Sequence, residues 1–162
     1  MEIILCLVGT VVLGVIIFLI HQYYEVKRFQ ISFKEALDLC DLPVITLYQN
    51  GKRYNFLLDT GSNRSHISVE YIDELKIKYA KSSTQVSGIE GNSMEVKQGL
   101  SVFEYRGKEL SDFFLISDLR KAFEHVKTTY GVQLHGILGT SFFTRYKYVI
   151  DFNKCICYYK KR

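Results

Sequence analysis

The hydrophobic pattern at the start of the chain differs from the pattern in the rest of it. Residues 3–20 are apolar or small apart from Thr10, and this run contains no charge and no proline. At a rise of about 1.5 Å per residue, a helix of this length nearly crosses a hydrocarbon core of roughly 30 Å. The run therefore predicts one transmembrane helix in contact with the lipid bilayer. A cleaved signal peptide is the alternative, although the start Met1-Glu2 lacks the basic residues typical of one.

Basic residues follow this run and none precedes it. Lys27, Arg28 and Lys34 lie after the predicted helix, and cytoplasmic flanks carry an excess of such residues. The following domain is therefore predicted to be cytoplasmic in a single-pass membrane protein. The opposite orientation stays open, because the difference is only a few charges.

The next stretch, residues 22–41, is predicted to connect the anchor to a folded domain. Its apolar residues recur at helical spacing and indicate a short amphipathic helix near the membrane: Phe33, Ala36, Leu37 and Cys40. Pro43 then marks a change to strand-like sequence. The chain thus divides into an anchor over residues 1–21, a connector over 22–41 and one domain over 42–162.

The domain is predicted to be mainly β, because short apolar runs alternate with turn residues. Asn50-Gly51 separates two such runs and predicts a tight hairpin. The predicted strands cover residues 44–48, 53–58, 65–68, 100–105, 113–116, 132–139, 148–152 and 155–159, with another hairpin over 84–96. Short helices are predicted from Ser68 to about Leu75, over 118–130, and after Gly139. This pattern is typical of a small barrel or sandwich.

The apolar run Phe56-Leu57-Leu58 delivers one aspartate, Asp59, into a turn made by Thr60, Gly61 and Ser62. A buried strand that ends at a single charge places that charge at its tip. Glycine lets a carboxylate approach the backbone closely, and the two hydroxyls can donate hydrogen bonds to it. An ordinary surface turn is the competing interpretation of this motif.

The predicted hairpin over residues 84–96 has glycines on both sides of an apolar tip. Its centre reads Gly88, Ile89, Glu90 and Gly91. Such a loop can close over a ligand and exclude water. A plain surface hairpin is the alternative.

Composition excludes several classes of function. The 162 residues carry a net charge of +4 without a long basic block or a nucleic-acid-binding motif, so no nucleic acid partner is expected. Cys155 and Cys157 lie two apart on a predicted strand, where packing is favoured over metal or redox chemistry because no other ligand lies at suitable spacing. His66, His125 and His135 are scattered. No metal and no cofactor is predicted.

Two separated motifs resemble those of one family. The segment 57–62 resembles the catalytic loop of aspartic proteases, and Ile137, Leu138 and Gly139 resemble the segment beneath that loop in the retropepsin-like branch. The residues 148–159 are similar to the closing strands of single-domain bacterial members. The resemblance covers about residues 42–159 and implies a small closed barrel of the retropepsin-like acid protease type with short helices, here preceded by one transmembrane helix.

This resemblance implies an aspartic endopeptidase that acts on polypeptides as a homodimer. Asp59 of each chain would activate water at the two-fold axis, since no second Asp-Thr-Gly is present. Thr60 would bond across that axis, Gly61 would offer its amide to the carboxylate, and Ser62 would support the outer oxygen. Ile137, Leu138 and Gly139 would support the loop from below, and Gly88, Ile89, Glu90 and Gly91 would form the flap.

The sequence departs from the family pattern in two places. The spacing between the motifs is longer than in compact retroviral enzymes, and the excess falls mainly in the predicted helix over 118–130. The flap is less rich in glycine and has Glu90 near its tip. The alternative function is a membrane-anchored binding or assembly module that has this fold but does not cleave, although its expected feature, a damaged Asp-Thr-Gly motif, is not found here.

Overall fold

The computed structural model describes residues 11–20, 31–81, 84–87 and 93–159. The chain divides into two compact units, Met1–Gln30 and Ile31–Arg162. In the first unit, residues 11–20 form a helix with exposed side chains. The rest of the predicted transmembrane run, residues 3–10, lies outside the described residues. Among those that are described, no helix is both long enough and apolar enough to cross a membrane.

The second unit contains eleven described strands and three short α-helices. The strands are β1 (Val44–Gln49), β2 (Lys52–Leu58), β3 (Ser65–Ser68), β4 (Ile77–Tyr79), β5 (Thr84–Ser87), β6 (Ser93–Val96), β7 (Gln98–Tyr105), β8 (Lys108–Ser117), β9 (Gly136–Leu138), β10 (Tyr148–Asp151) and β11 (Ile156–Tyr159). The helices are α1 (Phe33–Cys40), α2 (Arg120–Tyr130) and α3 (Thr140–Tyr146), with one 3-10 turn at Val69–Tyr71.

Six strands close a barrel, and β4 extends it at one edge. Their order is β1-β2-β9-β3-β8-β7, and β7 pairs back onto β1 where Glu104 lies opposite Tyr48. The pairs β2–β9 and β3–β8 are parallel, and the other pairs in the barrel are antiparallel. The mainly β prediction is therefore confirmed, and the architecture is a closed barrel with short helices.

The hairpin between β1 and β2 forms where the sequence predicts it. Asn50 and Gly51 adopt φ angles of 53° and 75°, which are the left-handed angles that a two-residue turn requires. The adjacent register pairs Gln49 with Lys52 and continues to Val44 opposite Leu57. This hairpin directs the end of β2 toward the predicted catalytic loop.

Two apolar clusters hold the domain together. Inside the barrel, the rings of Phe56, Phe103 and Phe114 contact one another with centroids 5.1 to 5.8 Å apart. The second cluster joins α1 to α2 through Ala36 and Phe123, among other residues.

Helix α1 therefore packs as part of the domain. Its residues Phe33, Ala36 and Cys40 are buried, and the compact unit begins at Ile31. The sequence places this helix in the connector that ends at residue 41, whereas its apolar face contacts the protein core. The helix itself forms as predicted, and Ser32 caps its start.

Several predicted elements are shorter in the structure. The helix expected from Ser68 to Leu75 is only the 3-10 turn Val69–Tyr71, because the buried Ser68 side chain makes no capping bond. The strand expected over residues 132–139 pairs only at β9, since Val132 and Leu134 pack into the second apolar cluster, the one that joins α1 to α2.

Two further differences concern the strands. Cys155 lies in a turn with a φ of 50°, whereas Cys157 is buried on β11. The prediction that both cysteines lie on one strand is therefore wrong. The short strand β4 is an element that the sequence analysis missed.

His135 is a half-buried histidine that precedes β9. Its Nδ1 accepts the backbone N–H of Asn55 at 3.0 Å, and its ring contacts those of Tyr54 and Tyr71. Burial lowers the pKa of His135 to about 4. Protonation of Nδ1 would also remove the acceptor of the Asn55 N–H.

We expect His135 to make the domain less stable in acid. The unfolded chain takes up a proton near pH 6.5 and the folded chain only near pH 4, so the free energy of unfolding falls as the pH falls between these values. The loss from pH 7 to pH 5 is on the order of 2 kcal/mol. Urea denaturation at both pH values measures it, and His135→Gln should reduce the loss. An equal reduction in the exposed control His125→Gln would contradict this assignment.

Candidate active site

The loop that carries Asp59 is fixed at its start by two backbone hydrogen bonds. The N–H of Leu58 donates to the carbonyl of Pro43 at 2.8 Å, and the N–H of Asp59 donates to the carbonyl of Leu138 at 3.0 Å. Because β9 runs parallel to β2, Leu58 lies opposite Leu138. The two motifs that the sequence analysis singled out are therefore in direct contact.

The carboxyl group of Asp59 is held by its own loop. Its Oδ1 accepts the N–H of Gly61 at 2.8 Å. A Cβ at Gly61 would lie 3.1 Å from the same oxygen, which explains why a residue without a side chain suits this position. This contact is the one that the resemblance implies for Gly61.

Thr60 and Ser62 face different surroundings. Thr60 is exposed, and its hydroxyl makes no hydrogen bond among the described residues. The Ser62 hydroxyl donates to the carbonyl of Arg64 at 2.7 Å. The resemblance implies that Ser62 supports the outer oxygen of Asp59. Because a hydroxyl has one proton to donate, Ser62 in this structure supports the loop backbone and does not donate to Asp59.

The segment beneath the loop is packed too tightly for a side chain at Gly139. A Cβ there would lie 2.3 Å from the carbonyl oxygen of Arg64 and 2.8 Å from that of Ser62. The next residue, Thr140, donates its N–H to the same Ser62 carbonyl at 2.8 Å. Ile137 pairs with Leu57, and Leu138 is fully buried.

His66, one of the scattered histidines, lies on β3 and is under the electrostatic influence of Asp59. Its Nδ1 is 2.8 Å from the Ser117 hydroxyl. Burial lowers the pKa of His66, while the negative charge of Asp59 acts in the opposite direction. His66 is half-buried, whereas the other three residues of β3 are buried.

Only the two strands of the predicted flap lie within the described residues. Strands β5 and β6 pair from Thr84 opposite Val96 to Ser87 opposite Ser93, so the hairpin forms as predicted. Its tip, with Gly88, Ile89, Glu90 and Gly91, lies outside the described residues.

Other features of the described chain lie away from Asp59. A cavity of about 1010 Å³ is lined by the β1–β2 turn, β4 and β7, and includes none of the loop residues. Within residues 11–20, 31–81, 84–87 and 93–159, no group of three or more acidic, histidine or cysteine side chains could hold a metal ion.

Comparison with known proteins identifies the family. A sequence model described as aspartyl protease matches residues 45–142, a range that contains both motifs. The chain belongs to the aspartyl protease family. It is an aspartic-type peptidase, and the aspartic protease family predicted from the two motifs is confirmed.

A solved structure is also similar to this aspartyl protease chain. The EIAV protease in complex with the inhibitor HBY-793 is 21% identical, with a TM-score of 0.47, and the match covers 67% of this chain and 90% of that one. A comparison with curated protein sequences gives no significant match.

We expect Gly139→Ala to destabilise the protein severely. The new methyl group would meet two backbone carbonyls that cannot move independently of the loop, and the cost should be about 3 kcal/mol, as in overpacked cores. Gly51→Ala is the control, because it meets no atom within 4 Å and costs about 1 kcal/mol for its positive φ alone. Urea denaturation compares the two, and equal losses would contradict the packing described for Gly139.

Proposed function

We propose that two copies of this aspartyl protease form a homodimer that cleaves peptide bonds between their Asp59 carboxylates. The observation that carries this proposal is the Asp59 loop, in which one half-buried carboxyl group is fixed by the Gly61 amide and supported by Gly139. Because the chain has one such loop, the second carboxylate comes from another copy. A two-fold axis through the loops satisfies this requirement.

The other described aspartates support the assignment of catalysis to Asp59, because several of them are engaged in ion pairs or hydrogen bonds with other side chains. Asp38 pairs with Lys34, Asp118 with Arg120, and Asp151 with Lys154. Asp112 is buried and accepts a hydrogen bond from Ser65. Asp59 makes no ion pair among the described residues and lies next to the exposed Thr60, whose free hydroxyl suits a contact across the dimer axis.

The chemistry follows from the close approach of two carboxyl groups. Like charges about 3 Å apart cannot both ionise, so the pair shares one proton, as is established for aspartic proteases. The ionised Asp59 takes a proton from water, whose oxygen attacks the peptide carbonyl carbon. The protonated Asp59 donates its proton to the carbonyl oxygen. Transfer of a proton to the nitrogen then allows the C–N bond to break, which yields a carboxylic acid and an amine.

We also propose that the hairpin of β5 and β6 acts as the flap. Its glycines at positions 88 and 91 would let the tip close over the polypeptide and exclude water from the two carboxylates. Ile89 would provide an apolar contact to the substrate. Glu90 would place a negative charge near the closed tip.

Asp59→Asn should abolish hydrolysis of an unstructured polypeptide such as casein, with a loss of roughly 1,000-fold or more, because the amide cannot take a proton from water. The exposed Asp73→Asn serves as the matched control. Assays of the full chain over a concentration series from pH 4 to 7 measure the rates. For the wild type, the rate should rise more steeply than linearly with enzyme concentration, because only the dimer is active.

Two outcomes would overturn the proposal in different ways. A linear concentration dependence together with a monomer in sedimentation would exclude the shared site. Inactivity of a folded wild-type dimer on unstructured and membrane-bound polypeptides would favour the binding or assembly module.

The proposal includes an anchor formed by residues 3–20, with the peptidase domain on the cytoplasmic side. The uncharged apolar sequence and the basic residues after it support both parts. Digestion of the domain by protease added to intact cells would exclude the cytoplasmic placement.

Charges placed in this run should release the full chain from membranes. Each lysine near the centre of a spanning helix costs about 2.5 to 3.5 kcal/mol on insertion scales. We therefore expect the double variant Val12→Lys, Ile16→Lys to leave carbonate-washed membranes, and the control Val12→Leu, Ile16→Leu to stay. Release of the wild type by the same wash would refute the anchor.

A further inference from the structure

A buried carboxyl group outside the Asp59 loop is connected to the segment that supports this loop by hydrogen bonds. Asp112 is on β8 and is 2% exposed. Burial of a carboxyl group is costly unless hydrogen bonds or an opposite charge compensate for it. The partners of Asp112 are therefore the groups that compensate for its burial.

The first partner is Ser65, which is fully buried on β3. Its hydroxyl donates to Oδ2 of Asp112 at 2.6 Å. The same hydroxyl oxygen accepts the N–H of Gly139 at 3.2 Å. Because a hydroxyl has one proton and two lone pairs, the bond to Asp112 fixes the Ser65 oxygen as the acceptor for Gly139.

The peptide unit between Leu138 and Gly139 connects this chain of bonds to Asp59. Its N–H donates to Ser65, and its carbonyl accepts the backbone N–H of Asp59 at 3.0 Å. A peptide unit is planar, so a rotation that breaks one of these bonds also disturbs the other. The orientation of this one unit thus links Asp112 to the backbone of Asp59.

The second partner of Asp112 is Arg145, on helix α3. Its Nη1 lies 3.6 Å from Oδ1 of Asp112 and also donates to the carbonyl of Ser111 at 3.2 Å. Helix α3 begins directly after Gly139. The carboxyl group of Asp112 is therefore connected to Gly139 through Ser65 and to the last turn of α3 through Arg145.

We propose that Asp112 and Ser65 are positioning residues for Asp59 catalysis, acting through the Leu138–Gly139 peptide. This inference rests on the proposed function for its effect on rate. Without the chain of bonds, the peptide gains rotational freedom and the Asp59 backbone loses its fixed acceptor. Displacements on the order of 1 Å lower catalytic rates by about 100-fold, while substrate contacts elsewhere are unaffected.

The test compares Ser65→Ala with Thr46→Val in the full chain. Both variants remove a buried hydroxyl, and that of Thr46 bonds to Asn55 and Ile31 without contacting Gly139. We expect Ser65→Ala to lower kcat by roughly 10- to 100-fold with little change in KM, and Thr46→Val to leave both within about twofold per folded dimer. Asp112→Asn retains an acceptor oxygen for Ser65 and should lose less than Ser65→Ala.

Hydrogen–deuterium exchange in the same samples tests the structural half of the proposal without activity. We expect exchange over residues 56–61 and 137–140 to be faster in Ser65→Ala than in Thr46→Val. Unchanged exchange there would overturn the proposal, as would an unchanged kcat in Ser65→Ala when the wild type is active. An inactive wild type with faster local exchange in Ser65→Ala would refute the proposed function and leave the linkage to the loop supported.

Discussion

The close contact between the Asp59 loop and the Gly139 turn is the constraint on which the site depends. Two backbone carbonyls, those of Ser62 and Arg64, approach the Gly139 Cα so closely that no Cβ fits. Hydrogen bonds can then join the two segments directly, from Asp59 to Leu138 and from Thr140 to Ser62. The position of the carboxyl group is therefore set by backbone atoms, which are held more rigidly than side chains.

This contact requires the barrel, because β2 and β9 are far apart in sequence. They pair in parallel over only three positions, from Phe56 opposite Gly136 to Leu58 opposite Leu138. A parallel pair of only three positions contributes little stability by itself. Here β9 is also paired with β3 on its other side, and β3 pairs with β8. The pairing of β9 with β3, and of β3 with β8, thus stabilises β9 in its place beside β2.

The elements that the sequence predicts well are those with local signals. Asn50-Gly51 specifies a turn by its own backbone preferences, and the apolar run ahead of Asp59 indicates a strand by itself. The actual length of β9 and the depth of Asp112 depend on residues distant in sequence. Ser65 gives no local signal at all, because its role comes from Gly139, 74 residues later.

The longer spacing between the two motifs also acquires a structural explanation. Helix α2 accounts for much of the extra sequence, and its Phe123 and Val126 pack with Ala36 of α1. Leu57 and Ile137, which flank the Asp59 loop on paired strands, pack against the same cluster. From the sequence, this helix appears only as added length between the two motifs. Because it shares apolar contacts with these two residues, α2 is instead part of the support for the strands that carry the site.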